Sequence, residues 1–128
     1  MDYKILIADD EPEIRNLLRL YLENENYHVI EAEDGQRALD LLRAEQPALC
    51  ILDIMMPKID GYTATRVIRS TNRQDAKAIP IIAMTANAFE EDRKKALAKG
   101  MNGHIAKPVD AEKVEKTICG VLDRRSEQ

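Results

Sequence analysis

Short apolar runs alternate along the chain with longer stretches in which apolar residues recur every three or four positions. The five runs lie at positions 5–8, 29–30, 49–52, 80–84 and 103–106. Runs of this kind indicate buried strands, whereas a period of three to four residues indicates amphipathic helices. Strands that alternate with helices form a parallel sheet covered on both faces. The pattern therefore predicts an α/β fold, a doubly wound sandwich around a five-stranded parallel sheet.

Proline, aspartate and glycine residues mark the predicted helix ends. Pro12 opens the first helix. Asp34 and Asp110 stand where the N-caps of the second and the last helix are expected. Gly100 follows a charged helix predicted over positions 88–99. The apolar face of the first helix is predicted to comprise Ile14, Leu17, Leu18, Tyr21 and Leu22.

The length of 128 residues suits one domain, and the net charge of -4 argues against a surface dedicated to nucleic acid. Cys50 and Cys119 lie too far apart for a metal-binding or redox motif. We expect Cys50 to lie in a buried strand and Cys119 in a helix. No early segment has a signal-peptide pattern, and none approaches the roughly 20 apolar residues of a membrane span. We therefore expect a soluble, cytoplasmic domain over positions 1–123 and a frayed tail at 124–128.

Polar residues that can carry chemistry stand where the predicted strands end. The carboxyl ends of parallel strands lie at one edge of the sheet, which is where doubly wound folds bind their ligands. Residues far apart in sequence should therefore meet there. They are Asp9 and Asp10 after the first strand, Asp53 at the end of the third, Thr85 at the end of the fourth and Lys107 after the fifth.

Three carboxylates in one place repel each other unless a cation compensates for their charge. Magnesium suits such a site, because it binds to a few carboxylates and keeps open positions for phosphate oxygens. A carboxylate nucleophile, a metal, a lysine and a hydroxyl together make a phosphoryl-transfer site. In this interpretation Asp53 attacks phosphorus, Lys107 offsets the charge on the phosphoryl oxygens, and Thr85 hydrogen-bonds to one of them.

Four short motifs occur at or next to the predicted strand ends. They are IADDE at 7–11, LDIMMP at 52–57 with DG at 60–61, MTA at 84–86 and KP at 107–108. In this order and spacing they resemble the response-regulator receiver family of two-component signalling, and the resemblance covers nearly the whole chain. It implies a flavodoxin-like fold with the strand order 2-1-3-4-5.

The resemblance also implies roles for the acidic residues. Asp9 and Asp10 match the pair that binds magnesium in the family, directly or through water. Asp53 matches the phosphoacceptor. The backbone carbonyl of Met55 matches the third protein ligand of the metal. The implied cofactor is therefore Mg²⁺.

Further roles follow for the later motifs. Thr85 matches the switch hydroxyl of the family, and Ala86 matches the small residue that leaves room for phosphate. Lys107 matches the lysine that contacts phosphate, and its bond to Pro108 is cis in the family. A tyrosine or phenylalanine is common three residues before this lysine and turns inward on activation. His104 stands there instead, so we expect the inactive and active surfaces to differ only slightly.

The resemblance implies a binding module under phosphorylation control, not an enzyme that releases a product. The phosphoryl group would come from a histidine kinase or a histidine phosphotransfer domain. The domain would catalyse its own phosphorylation and slow dephosphorylation. It would signal to a downstream output protein or domain through its α4-β5-α5 surface, without itself binding nucleic acid or membrane. The sequence leaves open whether the chain stands alone or comes from a longer regulator or sensor kinase.

Three alternative functions agree less well with the sequence. A flavodoxin-like nucleotide binder needs a glycine- or hydroxyl-rich loop after the first strand, where this chain has acids. A phosphatase with an aspartyl nucleophile needs a general acid or base that the predicted edge does not supply. A receiver that cannot be phosphorylated would lack one of the key residues. A metal site at His28 and His104 is disfavoured, because neither has a ligand partner at a suitable spacing.

Overall fold

The computed structural model describes residues 3–71, 78–86, 90–107 and 109–126, without the side chains of 90, 92 and 122–126. All four strand pairings are parallel, and the strand order is β2-β1-β3-β4-β5, as predicted. The strands are β1 (Lys4–Ala8), β2 (His28–Ala32), β3 (Leu49–Asp53), β4 (Ile81–Thr85) and β5 (Gly103–Ala106). The helices are α1 (Pro12–Asn24), α2 (Gly35–Glu45), α3 (Gly61–Arg69), α4 (Glu90–Ala98) and α5 (Ala111–Ser126).

The sheet separates two apolar cores because successive strand residues point to opposite faces. In β3, for example, Cys50 and Leu52 belong to one core and Leu49 and Ile51 to the other. Helices α2, α3 and α4 contribute to the first core, and helices α1 and α5 to the second. Every residue of β3 and β4 is buried, which explains why these strands read as continuous apolar runs.

The predicted capping residues begin the helices for which they were proposed. Asp34 accepts a hydrogen bond from the backbone N–H of Arg37 at 2.8 Å. Asp110 accepts one from the N–H of Lys113 at 2.9 Å. A carboxylate at this position satisfies one of the backbone N–H groups that the first turn leaves unpaired. These two predictions are confirmed.

The ends of two helices differ from the sequence prediction. Helix α5 continues to Ser126, so the segment 124–126, which was assigned to a frayed tail, is helical. After Gly120, which lies within the helix, the sequence contains no glycine or proline that would stop it. Helix α4 ends at Ala98, and Gly100 follows with a φ of 100°, which favours glycine. The predicted start of that helix at Ala88, like the Lys107–Pro108 bond, lies outside the described residues.

The burial of single residues agrees only in part with the sequence prediction. Leu18 and Leu22 of α1 are buried, but Leu17 is 47% exposed, so its assignment to the apolar face was wrong. The apolar stripe of α1 is narrower than predicted. Cys50 is buried in β3 and Cys119 is exposed on α5, and neither forms a disulfide. Within the described residues, we find no helix with the length and apolar character needed to cross a membrane.

Candidate functional site

The carboxyl ends of three strands bring together the acids and the lysine singled out in the sequence. Asp9 and Asp10 follow β1, Asp53 ends β3, and Lys107 follows β5. One carboxylate oxygen from each of the three aspartates lies within 4.8 Å of the other two. The described residues contain no other group of three or more acids, cysteines or histidines at such distances.

Asp9 is the most deeply buried of the three acids, with no exposed surface. Its backbone N–H donates to the carbonyl of Ala32 on β2 at 3.1 Å, and its Oδ1 accepts from the N–H of Glu11 at 2.8 Å. Its Oδ2 is buried and accepts no hydrogen bond from the part of the chain that the structure describes. This oxygen therefore has capacity for a further partner.

Asp53 is 3% exposed and has a defined orientation. Its Oδ1 accepts from the N–H of Met55 at 2.9 Å, and its Oδ2 accepts from Lys107 Nζ at 3.0 Å. Helix α3 approaches closely here, since a Cβ on Gly61 would lie 2.5 Å from the Asp53 carbonyl oxygen. Glycine is therefore needed at position 61 for the close contact between α3 and the end of β3.

Lys107 is the cation that faces these carboxylates. Its Nζ lies 3.0 Å from Asp53 Oδ2, 3.1 Å from Asp9 Oδ2 and 3.2 Å from Glu11 Oε1. The contact with Asp9 has the distance of an ion pair but lacks hydrogen-bond geometry. Burial lowers the pKa of the ammonium, but the hydrogen bond to Asp53 and the negative charges of Asp53 and Asp9 outweigh burial and raise this pKa above its usual value. Lys107 therefore stays charged at any ordinary pH.

The remaining predicted site residues lie around this centre. Thr85 is buried at the end of β4, and its carbonyl accepts from the Lys107 N–H at 2.7 Å. Ala86 follows it and is exposed. Met55 is 74% exposed, and its backbone N–H contacts the centre by donating to Asp53. His104 lies on β5 opposite Ala83 of β4, two residues before Thr85 and on the same face of the sheet.

Two further residues contact the centre, although the sequence motifs indicated no role for them. Glu11 brings a third carboxylate into contact with Lys107, besides those of Asp9 and Asp53. Its position directly after the acidic pair was a signal for this role. Arg15 donates from Nη1 to the carbonyl of Asp9 at 2.7 Å. Its only signal was its place in the first turns of α1, beside the end of β1.

The donor set fits a divalent cation of the magnesium class. All three clustered ligand groups are carboxylates, which suit hard cations, and no thiolate or imidazole accompanies them in the described cluster. Asp9 Oδ2 is buried without a hydrogen bond. The pKa of Asp9 is raised to about 6, chiefly because the carboxyl group is buried. The hydrogen bond from the Glu11 N–H lowers this pKa, and repulsion from Asp53 raises it further. Lys107 contacts three of the four carboxylates at this edge, so a bound cation would relieve the remaining repulsion among them.

The raised pKa of Asp9 predicts a pH dependence of stability without magnesium. Folded Asp9 titrates at about 6 and the unfolded group at 3.8, so the folded state binds more protons between these values. The free energy of unfolding should therefore fall by roughly 3 kcal/mol as pH rises through this window. Urea unfolding in a chelator, compared with Asp9→Asn, would isolate this effect. A difference between the two proteins that does not change with pH would contradict the prediction.

The fold and its acidic edge define a receiver-type α/β domain. Residues 5–119 match the family model described as the response regulator receiver domain. The chain therefore belongs to the response regulator receiver family of two-component signalling.

Solved structures show the same architecture. CheY4, a chemotaxis response regulator of Vibrio cholerae, superposes with a TM-score of 0.87 at 29% identity, over 95% of this chain and 100% of that one. The receiver domain of sensor histidine kinase PA1611 from Pseudomonas aeruginosa has a TM-score of 0.82 at 30% identity, with 100% of both chains covered. That structure contains a magnesium ion coordinated in its active site cleft.

Sequence relatives include longer regulators. The chain is 40% identical over 124 residues to the transcriptional regulatory protein ResD of Bacillus subtilis, which is 97% of this chain and 50% of that protein. It is 42% identical over 106 residues to a 14.6 kDa protein of Leptolyngbya boryana, covering 83% of this chain and 79% of that one. The chain thus spans about half the length of most of the curated relatives it matches.

Proposed function

We propose that this receiver domain accepts a phosphoryl group on Asp53 with the help of Mg²⁺. One observation carries the proposal. The buried Asp53 carboxylate ends the central strand β3, 3.0 Å from the Lys107 ammonium and beside Asp9 and Asp10. Nucleophile, cationic group and metal ligands thus converge at one point, which is the arrangement that phosphoryl transfer to a carboxylate requires.

The chain itself orients the nucleophile. The N–H of Met55 and the ammonium of Lys107 contact different oxygens of Asp53, and together they fix the rotation of the carboxylate. In the transfer step one of these oxygens forms a bond to phosphorus while the bond to the leaving group of the donor breaks. A phosphohistidine donor would leave as an imidazole that takes up a proton.

The incoming negative charge needs compensation. Asp9, Asp10, Asp53 and the Met55 carbonyl are the proposed magnesium ligands. When bound, the metal ion neutralises charge on the phosphoryl oxygens. Lys107 already contacts Asp53 and would move only a short distance to a phosphoryl oxygen. Thr85 would donate its hydroxyl to another phosphoryl oxygen, and the small Ala86 beside it would leave room for the group.

The proposed partners follow from this chemistry. The donor would be a histidine kinase or a histidine phosphotransfer domain, and the receiver would occupy positions 1–123. Similarity to both a sensor-kinase receiver and transcriptional regulators supports a place in such a relay, without selecting between the two arrangements. The product is a phosphorylated domain whose surface contacts an output protein or domain, and the phosphoryl group is later lost by slow hydrolysis.

The proposed output surface consists of α4, β5 and α5. His104 connects it to the centre, since it shares a sheet face with Thr85 and its Nε2 is buried without a hydrogen bond among the described residues. A groove of about 240 Å³ lies beside this ring, with a lining that includes Arg93, Leu97, Lys116 and Thr117. Withdrawal of the Thr85 hydroxyl toward phosphate would change the space available to the imidazole and so alter this groove.

Beryllofluoride, a mimic of the aspartyl phosphate, tests the acceptor and the output surface together. With magnesium present we expect NMR shifts at Asp53, Thr85 and Lys107, with weaker shifts on α4, β5 and α5. His104→Tyr should enlarge the distant shifts, because a less polar ring enters a buried space at lower cost. Asp40→Asn, on the exposed part of α2, is the matched control. Equal distant shifts in His104→Tyr and the parent would show that His104 does not couple the two regions.

A further inference from the structure

Arg15 reaches from the second turn of α1 to the acidic edge of the sheet. Its Nη1 donates to the carbonyl oxygen of Asp9 at 2.7 Å, and its Nε donates to Glu31 Oε1 at 3.2 Å. The side chain is only 18% exposed. Its guanidinium thus connects the backbone after β1 with a carboxylate on the neighbouring strand β2.

The carbonyl that Arg15 contacts belongs to the peptide unit between Asp9 and Asp10. This unit is planar, so its orientation sets the directions in which the two side chains leave the backbone. The preceding N–H of Asp9 donates to Ala32 on β2, and the carboxylate of Asp9 accepts from Glu11. Arg15 supplies the remaining constraint, which acts on the peptide plane itself.

Glu31 fixes the guanidinium in turn. It lies on β2 opposite Ile7 of β1, and its two carboxylate oxygens contact different arginines. Arg15 binds to Oε1, whereas Arg19, one turn further along α1, binds to Oε2. Only Arg15 also contacts the backbone of Asp9. Two arginines of the same helix therefore share one acid but differ in their connection to the centre.

We propose that Arg15 is a positioning residue for the metal site, oriented by Glu31. By fixing the Asp9–Asp10 peptide, it keeps both carboxylates directed at the same cation. The inference rests on the proposed function, since it assigns to Arg15 a part in the magnesium binding on which phosphorylation depends. Residues that orient metal ligands typically change metal affinity about 10–100-fold when they are mutated.

The geometry requires an arginine at this position. The planar guanidinium offers several N–H donors in a fixed fork, so one group can bind to Asp9 and Glu31 at once in a defined orientation. A lysine ammonium is a point charge on a flexible chain and orients neither partner in the same way. Arg15→Lys should therefore retain the positive charge but lose much of the positioning.

Calorimetric titration with MgCl₂ tests the proposal in the absence of any phosphodonor. Arg15→Gln should weaken magnesium binding about tenfold or more, and Arg15→Lys should fall between this variant and the parent. Arg19→Gln is the matched control, since it loses the contact with the same Glu31 but has none with Asp9. It should bind magnesium within about twofold of the parent. Its thermal stability should nevertheless fall by about as much as that of Arg15→Gln.

The outcomes separate the positioning role from a purely structural one. Parent-like magnesium affinity in Arg15→Gln would overturn the inference, as would an equal loss in Arg19→Gln. If Arg15→Gln does not fold, Glu31→Gln replaces it and should also weaken binding more than Arg19→Gln does. A parent protein that binds no magnesium at millimolar concentration would overturn both the inference and the proposed function. If the parent binds magnesium and is phosphorylated, but substitution of Arg15 leaves the magnesium affinity unchanged, the inference alone would be overturned.

Discussion

Asp53→Asn should abolish phosphoryl uptake from acetyl phosphate in the presence of magnesium. An amide oxygen is a much weaker nucleophile than a carboxylate, and the substitution also removes a proposed metal ligand. The fold should persist, because the new side chain can still accept the hydrogen bond from the Met55 N–H. Mass spectrometry of the intact protein should show one added phosphoryl group on the parent and none on the variant.

The control for this experiment is Asp40→Asn. Asp40 is an exposed acid on α2 that accepts from the Gln36 side chain at 3.2 Å and does not belong to the acidic cluster. The Asp40→Asn variant should take up the phosphoryl group at the parental rate. Base-labile labelling of Asp53→Asn at the same level as the parent would show that another residue is the acceptor.

Lys107→Ala should lower both stability and labelling. Without the ammonium, Asp9, Glu11 and Asp53 lose the cation that all three contact, and their repulsion is no longer compensated. Breaking a buried charge pair of this kind costs on the order of 3 kcal/mol. The rate of phosphoryl uptake should fall by about two to three orders of magnitude, the usual effect of removing one positioned charge-stabilising donor.

Magnesium separates these two effects. The metal also compensates for the negative charge of the carboxylates. It should therefore restore much of the stability of Lys107→Ala by mass action, but little of the rate of phosphoryl uptake. Lys4→Ala, which breaks an exposed pair with Glu45, should change either quantity only slightly. A Lys107→Ala variant that unfolds at the same urea concentration as the parent in chelator would contradict the electrostatic account of the site.

The strands and the acidic edge could be predicted because they depend on local pattern and simple topology. Continuous apolar runs identified β3 and β4, since both are buried on both faces. Parallel pairing then places every strand end at one edge, so Asp9, Asp53 and Lys107 had to approach each other once the strand order was known.

Other features depend on contacts that periodicity does not encode. Leu17 fits the helical period of α1 but is 47% exposed, because the sheet beneath that helix covers a narrower stripe than the apolar residues occupy. The extension of α5 to Ser126 depends on the absence of a stop signal, which gives no positive mark in the sequence.

The supporting residues of the site were missed for a related reason. The Arg15 side chain spans the distance from α1 to the Asp9 carbonyl, and neither its spacing nor its residue type indicates a backbone partner. Glu11 lies in the acidic motif, but its contact with Lys107 joins residues 96 positions apart. Long side chains that connect distant segments become visible only when the backbone positions are known.

Asp53 is the residue proposed to carry the phosphoryl group. The most direct measurement is to phosphorylate the protein with acetyl phosphate and magnesium, reduce the acyl phosphate with borohydride, and sequence the peptides by mass spectrometry. We expect homoserine at position 53 alone, and none when a chelator replaces magnesium. Homoserine at position 9 or 10, or an unreduced Asp53 in protein that carries one phosphoryl group, would contradict it.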